Sequence, residues 1–310
     1  MALVVLLSLL NRVCMKKLLT QCLAACILLL MAGVGFCQPP QRPAITGIAF
    51  VTLQVSDLHK AGTFYQSLLG YQPLPAKADP QRGTQSIFIN ARQSVIIKAG
   101  LPAYRDERLL SVAFQTADAE ALRLYLEARG VGVPQKLDTS LPGILSFTVA
   151  DPDGHAIQFV QRLANAKVQP VNAAPATALS RRILHAGLTI SSAVAANRFY
   201  ADILGFSEIW RGGATDSVVS WLNMRVPEGT DYLEYMLVSG PVSRQQLGSL
   251  HHIALMVLDM QQAVDMLGTR SLENGYPVAA PRIGRNNRWQ LNLFDPDGTR
   301  IELMEPFTMR

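Results

Sequence analysis

The sequence predicts an α+β protein in which a strand–helix–strand module is repeated along the chain. Residues 48–57 alternate apolar and polar side chains, as a half-buried strand does, and lead into a helix that ends near Gly70. Residues 183–206 repeat that order with similar side chains. The tetrapeptide Asp-Pro-Asp-Gly occurs at 151–154 and again at 295–298, each time before a short apolar strand. Its Pro and Gly suit a tight hairpin turn.

Residues 1–37 form a leader that differs from the rest of the chain. It contains no Asp or Glu, carries Lys16 and Lys17, and continues as an apolar run toward Phe36. This pattern is typical of a secretory signal, with Met15 as a candidate start, and predicts export to the periplasm or the exterior. An uncleaved membrane anchor is the alternative. All four cysteines lie in this leader, so the remainder has no disulfide and no thiolate ligand or nucleophile.

The charge balance excludes a strongly basic or acidic surface. The chain has 28 basic and 23 acidic residues, and three of the basic ones lie in the leader. The rest of the chain is therefore nearly neutral, and no run of five or more Lys or Arg residues occurs in it. We expect no nucleic-acid partner, and contact with a membrane only through the leader if that segment is retained.

The repeats divide the chain after the leader into four units. These are βαβββ modules at about 45–100, 107–163, 181–240 and 248–306. The first two would form an N-terminal domain, 45–163, and the last two a C-terminal domain, 181–306. The segment 164–180 is rich in Ala, Pro, Asn and Val and is predicted to be an exposed linker.

Each of the last two modules contains a His near its first strand and a Glu near its last. His185 precedes Glu234 by 49 residues, and His252 precedes Glu302 by 50. Packing the modules side by side would bring four donor atoms to one divalent metal, with positions left for water or a small-molecule substrate. These donors suit Zn, Ni, Co, Mn or Fe(II), so the identity of the metal stays open. Because both modules belong to one chain, a monomer is sufficient for the site.

Three motifs resemble those of the vicinal oxygen chelate superfamily. They are the strand–helix opening, the Phe-Tyr…Leu-Gly helix end at 199–205, and the Asp-Pro-Asp-Gly…Ile-Glu-Leu ending at 295–303. This superfamily includes glyoxalase I, extradiol dioxygenases, methylmalonyl-CoA epimerase and bleomycin resistance proteins. The resemblance covers nearly the whole chain after the leader. It implies that the modules pair into two curved mixed-sheet, half-barrel domains around a cavity, with a metal held on the strands.

The resemblance also implies a ligand set. The opening-strand His of the superfamily corresponds to His185 and His252, and the closing-strand Glu corresponds to Glu302. Glu234 falls where glyoxalase I carries its fourth ligand, whereas extradiol dioxygenases lack that carboxylate. The C-terminal domain is therefore most similar to glyoxalase I.

The N-terminal domain lacks the same set of donors. Its equivalent positions hold Phe50, Ser111 and Gln158. An aromatic ring and a hydroxyl cannot replace two imidazoles. This domain is predicted to be structural or to shape the substrate cavity.

Three functions remain open. The leading interpretation is a metal-dependent glyoxalase-like enzyme, of the lyase or isomerase type, in which Glu302 and Glu234 are the candidates for moving a proton. An outward-directed leader argues against a cytosolic glutathione adduct, so we expect another small oxygenated metabolite. The first alternative is an extradiol dioxygenase with a 2-His-1-carboxylate Fe(II) site. The second is a non-catalytic, ligand-sequestering protein of the bleomycin resistance type.

Several polar residues outside the ligand set have expected positions. A basic, aromatic rim for an anionic ligand is predicted before the penultimate strand, formed by Arg285, Arg288 and Trp289, with an ordinary hairpin of solvated arginines as the alternative. His251 is expected on the surface or behind the ligands, because strand alternation directs it away from His252. His155 is expected to be exposed, since it follows a turn.

Overall fold

The computed structural model describes residues 40–71, 83–102, 108–140, 143–163 and 174–309. The leader that is predicted to be a signal or an anchor lies outside these ranges. Within them, no helix combines the length and the apolar content needed to cross a membrane. The fourteen strands found in these ranges form two mixed sheets.

The first sheet has six strands in the order β2-β3-β1-β4-β6-β5. Two helices, α1 and α2, pack with it. The bounds are β1 (Ile45–Val55), α1 (Leu58–Thr63), β2 (Thr84–Phe88), β3 (Ser94–Ala99), β4 (Leu109–Thr116), α2 (Ala119–Glu127), β5 (Ile144–Ala150) and β6 (Ala156–Arg162).

The second sheet has eight strands in the order β12-β13-β14-β11-β7-β10-β9-β8. Three helices, α3 to α5, belong to this half. The bounds are β7 (Ile183–Ile190), α3 (Ala193–Asn197), β8 (Ser207–Gly212), β9 (Trp221–Arg225), β10 (Tyr232–Leu237), α4 (Arg244–Leu250), β11 (His252–Met256), α5 (Met260–Asn274), β12 (Arg282–Ile283), β13 (Trp289–Phe294) and β14 (Arg300–Met304).

The strand pairing confirms the predicted fold of four modules in two curved half-barrels. In each half the first strands of two modules pair antiparallel, as β1 with β4 and β7 with β11. Each of these strands also pairs in parallel with a later strand of its own module, as β1 with β3, β4 with β6, β7 with β10 and β11 with β14. The first strands therefore occupy the middle of each sheet, where both neighbours satisfy their backbone groups.

A capped helix follows the first strand of every module. The side chains of Asp57, Asp118, Ser192 and Asp259 accept hydrogen bonds from backbone amides in the first turns of α1, α2, α3 and α5. These amides have no partner within the helix, so the caps fix where each helix begins. Helix α4, which the sequence analysis did not predict, begins with a capping box built on Ser243.

Helices α1 and α3 continue into π-helical turns at Phe64–Leu68 and Arg198–Ile203. The wider turns direct Tyr65 and Tyr200 into the core, where both side chains are fully buried. The predicted helix end at Gly70 is confirmed, since this residue adopts the left-handed conformation with φ of +79° just beyond the last turn.

The end of the predicted linker packs against the first half of the molecule. Ala174 is buried, the hydroxyl of Thr177 donates to Gly70 O at 2.9 Å, and Leu179 N donates to Leu69 O at 3.0 Å. Residues 174–180 therefore have partners at the helix end near Gly70, while Ala176 and Thr177 are exposed. The rest of the linker, 164–173, lies outside the described residues.

The two Asp-Pro-Asp-Gly turns join the halves reciprocally. Asp153 Oδ1 of the first half accepts from Ser191 N of the second at 3.1 Å. Asp297 Oδ2 of the second half accepts from Ser56 N of the first at 2.9 Å. Each turn thus fixes the junction between the opening strand and its helix in the opposite half, which holds the two sheets in one arrangement.

Candidate metal centre

The two central strands of the eight-stranded sheet carry the two predicted His ligands. His185 on β7 lies directly opposite Ala254 on β11, and His252 on β11 lies directly opposite Gly187 on β7. Residues that face each other across a strand pair project from the same face of the sheet. Both imidazoles therefore project from the same face of the sheet. The residues opposite them, Ala254 and Gly187, are small and leave room for the two rings.

The two glutamates complete the cluster from the neighbouring strands. Glu302 on β14 lies opposite Ala254, and Glu234 on β10 lies opposite Gly187. Four adjacent strands thus contribute one side chain each to the same face. This convergence follows from the module repeat, since each module supplies a His on its first strand and a Glu on the strand beside it.

The donor atoms lie close enough to share one ion. The Nε2 atoms of His185 and His252 are 2.9 Å apart. Glu234 Oε2 lies 3.1 Å from His252 Nε2 and 3.7 Å from His185 Nε2. Glu302 Oε2 lies 3.4 Å from His185 Nε2 and 3.8 Å from His252 Nε2. One donor from each residue therefore lies within 4.8 Å of every other.

Burial and charge make this cluster suited to a cation. Burial alone would raise the pKa of Glu302, but the hydrogen bond from His185 and the positive charge of Arg300 lower it to about 2. Burial likewise raises the pKa of Glu234, while the hydrogen bond from His252 lowers it below its ordinary value. Two ionised, buried carboxylates beside two imidazoles are a nitrogen and oxygen donor set compatible with one divalent metal ion.

Gly187 gives the His252 ring its place in the cluster. A Cβ atom at position 187 would lie 2.1 Å from both Cε1 and Nδ1 of His252 and 2.7 Å from Leu250 O. The ring is held against this backbone by a 2.8 Å contact between its Nδ1 and Leu250 O. On the other side of the cluster, the ring of His185 stacks on that of Tyr232, with centroids 4.6 Å apart.

A cavity of about 910 Å³ opens over the cluster. Glu234, Glu302 and Arg300 form part of its wall, so two of the predicted ligands are accessible from it. Of the predicted rim, Arg285 lines the cavity and pairs with Asp216, which connects the β12–β13 and β8–β9 hairpins. The other two rim residues, Arg288 and Trp289, do not line it, and Trp289 packs against the hydrophobic core.

The first half has the same sheet positions without the donors. The β1–β4 register places Phe50 opposite Ala113 and Ser111 opposite Thr52, as the second half places its histidines. Gln158 lies opposite Ala113, where the second half has its closing-strand Glu. At these positions the two halves thus have an equivalent backbone and differ in their side chains.

The sequence also matches a family model twice. The model is the Glyoxalase/Bleomycin resistance protein/Dioxygenase superfamily, and the matches cover residues 47–159 and 182–303. The chain belongs to this superfamily. Its two matched regions correspond to the two sheets, so each half is one superfamily domain. A search of curated protein sequences finds no match.

Solved structures with a similar fold include three 2,3-dioxygenases. Homoprotocatechuate 2,3-dioxygenase from Brevibacterium fuscum, in complex with 3,4-dihydroxyphenylacetate, is 20% identical, with a TM-score of 0.62 over 86% of this chain and 82% of that chain. The enzyme of the same name from Arthrobacter globiformis is 21% identical, with a TM-score of 0.63 over 88% and 84%. The 2,3-dioxygenase LapB from Pseudomonas sp. KL28 is 15% identical, with a TM-score of 0.65 over 86% and 93%. At these identities the similarities show a shared fold over both halves of the chain.

A buried network between the halves contains two histidines, of which His155 was expected to be exposed. His155 is 7% exposed and His251 is 3% exposed, so neither is a surface residue. His155 Nδ1 pairs with Asp151 Oδ2 at 2.8 Å, and both rings contact the hydroxyl of Thr189. Docking of the turn at 151–154 onto β7 covers His155, which could not be foreseen from the turn sequence alone.

This network makes stability depend on pH. Burial, and the nearby charges of His155 and His252, lower the pKa of His251 to about 3. The unfolded chain binds a proton at His251 near the ordinary value of about 6.5, and the folded protein does not. Stability is therefore lost as the pH falls from about 6.5 toward 3, by about 2 kcal/mol at pH 5. We expect urea unfolding of metal-free protein to show a smaller loss in His251→Gln, and equal losses would contradict this assignment.

The structure adds residues that the sequence analysis did not single out. Asn223 on β9 lies opposite Glu234, and Asn292 on β13 lies opposite Glu302. The Oδ1 atom of each Asn is buried without a hydrogen-bond partner among the described residues. Arg300 also reaches the cluster, with its Nη2 2.7 Å from His252 Nδ1. These neighbours follow from the register between strands, which cannot be read from the sequence.

Proposed function

We propose that this superfamily member is a metal-dependent enzyme of the glyoxalase type, with His185, Glu234, His252 and Glu302 holding one divalent ion. The observation that supports this most directly is the position of Glu234. Its carboxylate lies 3.1 Å and 3.7 Å from the two imidazole Nε2 atoms, as a fourth donor would. The reaction would be an isomerase- or lyase-type proton transfer within a small oxygenated metabolite.

A divalent ion in this cluster would act as a Lewis acid that polarises a substrate oxygen and makes an adjacent C–H bond more acidic. The protein must then supply a base. Among the described residues that line the cavity there is no His, Lys, Tyr or Cys. Glu234 and Glu302 are the carboxylates at the cluster, and the Glu234 side chain is the more exposed, at 12% against 5%.

Glu234 is therefore the better placed to move the proton. Its carboxylate would take the proton from the carbon next to a carbonyl group and return it to the neighbouring carbon. Such a transfer is internal to the substrate and consumes no oxidant. The deeper burial of the Glu302 side chain favours a purely ligating role for that residue.

A second candidate function is extradiol ring cleavage. The solved structures of similar fold are 2,3-dioxygenases, and they align with both halves of this chain. His185, His252 and Glu302 alone would supply a 2-His-1-carboxylate site for Fe(II). In that case Glu234 would not be a ligand, and the reaction would consume O₂ and a catechol.

Replacing Glu234 by Ala separates these functions. If Glu234 is a ligand, metal affinity should fall by more than the roughly 10–100-fold that follows loss of an outer hydrogen-bond partner. We would load the protein separately with Zn, Ni, Co, Mn and Fe(II) and measure retention by elemental analysis after dialysis. Glu208→Gln is the matched control, because Glu208 lies on β8 of the same sheet and pairs with Arg211 outside the cluster.

The reaction itself gives the second readout. Each metal form of the protein would be incubated in D₂O with hydroxyacetone and monitored by NMR for exchange of the carbon-bound protons next to the carbonyl. Parallel samples with catechol would be monitored for O₂ uptake. Exchange that Glu234→Ala abolishes supports the proposal. O₂ uptake with unchanged metal retention in Glu234→Ala supports ring cleavage, and a wild-type protein that retains none of the metals supports a sequestering role.

A further inference from the structure

The cluster is nearly two-fold symmetric, and Arg300 breaks the symmetry. Across the sheet, one row of directly opposed residues reads Asn223, Glu234, Gly187, His252 and Arg300. The row beside it, read in the other direction, is Asn292, Glu302, Ala254, His185 and Tyr232. The first four positions of the two rows match in chemical type or size. The last position differs, because Arg300 in one row corresponds to Tyr232 in the other.

The two last residues have different surroundings. Tyr232 is 1% exposed, stacks on His185 and does not line the cavity. Arg300 is half-buried and lines the cavity together with Glu234 and Glu302. The cavity therefore meets the guanidinium beside His252, whereas Tyr232, the matching residue beside His185, does not line it.

Hydrogen bonding at His252 leaves this guanidinium without an acceptor once the imidazole binds a metal. Nδ1 of His252 lies 2.8 Å from Leu250 O and 2.7 Å from Arg300 Nη2. A neutral imidazole that ligates through Nε2 carries its proton on Nδ1, and this proton is donated to Leu250 O. Arg300 has only donors, so it then faces another donor. Its Nε is also buried without a partner among the described residues.

The other charges along the cavity also indicate that Arg300 lacks a negatively charged partner within the described part of the chain. Of the other arginines that line the cavity, Arg211 pairs with Glu208, Arg285 pairs with Asp216, and Arg282 is exposed to solvent. No carboxylate lies within ion-pair distance of Arg300 among the described residues, although Arg300 stands two residues before Glu302 on the same strand. Two Glu carboxylates would neutralise a divalent ion, so the charge of Arg300 is left for a ligand to balance.

We propose that the substrate is a metal-chelating metabolite that carries a carboxylate, and that Arg300 binds this carboxylate beside His252. The inference rests on the proposed metal centre and names the substrate class for it. A guanidinium matches a carboxylate with two parallel N–H donors, which fixes orientation as well as charge. Chelation at the metal and this ion pair together would hold the substrate in one orientation in the cavity.

The test uses two chelating probes that differ in charge. Co(II)-loaded full-length protein would be titrated with acetohydroxamate, and with succinate monohydroxamate, which carries an added carboxylate. The Co(II) absorption spectrum reports binding. Wild-type protein should bind the second probe more tightly, and Arg300→Gln should lose about 10–100-fold of affinity for it. Affinity of Arg300→Gln for acetohydroxamate should stay within about twofold of wild type.

Two controls separate recognition of the carboxylate from a structural role. Arg300→Lys keeps the charge but not the planar pair of donors, so it should retain part of the preference. Arg198→Gln removes an exposed arginine outside the cavity and should change neither affinity. Arg300→Gln should bind Co(II) at least as well as wild type, because a positive charge beside the ion is lost; a merely structural Arg300 would lower Co(II) binding instead.

The outcomes distinguish this inference from the proposed function. If Co(II) and both probes bind but the carboxylate gives no preference, or if Arg300→Gln keeps that preference, the inference is wrong while the metal centre stands. If wild-type protein takes up no Co(II), the metal centre fails and the role of Arg300 fails with it.

Discussion

Replacing His185 with alanine is expected to abolish metal binding while leaving the fold intact. His185 is fully buried on a central strand, and its Nε2 lies within 3.7 Å of donor atoms from all three other members of the cluster. Among the described residues, no His lines the cavity, so none there could replace it. The affinity loss should exceed the roughly 10–100-fold typical of losing an outer hydrogen-bond partner of a ligand.

The measurement is thermal unfolding with and without added metal. A ligand present at 1,000 times its Kd stabilises the folded protein by about 4 kcal/mol. Wild-type protein should therefore unfold at a higher temperature when metal is added, and His185→Ala should show no shift. Elemental analysis after dialysis would report the same difference as a metal content near one per chain against near zero.

His251→Ala is the matched control for this variant. It also removes a buried imidazole, one that lies next to His252 in the chain but faces Thr189 and the first half. This variant should lose stability and keep its metal. Equal loss of metal in both variants would show that the effect comes from general unfolding, and retention of metal by His185→Ala would refute the four-donor site.

The fold and the clustering of His185, Glu234, His252 and Glu302 were predictable because both follow from repeats in the sequence. A module that occurs four times reveals its strand, helix and turn positions, and a His in the same phase of two copies stands out from a single structural His. The strand register confirms that Phe50, Ser111 and Gln158 of the first half occupy the positions that match His185, His252 and Glu302. Repetition thus gave positions that no single segment could have given.

The residues that were missed depend on contacts between distant segments. Arg300 was not predicted because its approach to His252 follows from the pairing of β11 with β14. The burial of His155 follows from the docking of one half on the other. Helix α4 was missed because it lies between two modules and is not part of the repeat. Strand register and domain docking are tertiary properties, and the periodicity of apolar residues carries little information about either.

Gly187→Ala tests whether a single missing methyl group sets the geometry of the centre. An added Cβ would lie 2.1 Å from two atoms of the His252 ring and 2.7 Å from Leu250 O, so the ring or the β7 backbone must move. We expect a loss of about 1–3 kcal/mol in the free energy of unfolding, as overpacked sites show. Metal affinity should fall by about 100-fold, because a ligand has left its position.

Two other positions, Ala254 and Gly268, serve as comparisons for the close packing at Gly187. Ala254 fills the matching place in the other row and already carries a Cβ while fully buried, so the cluster tolerates a methyl group on that side. Gly268 lies within α5, and a Cβ there would meet nothing within 4 Å. Gly268→Ala should therefore keep full metal affinity and gain about 0.5–1 kcal/mol of stability. If Gly187→Ala binds metal as tightly as wild type does, close packing at position 187 is not what holds His252 against the ion.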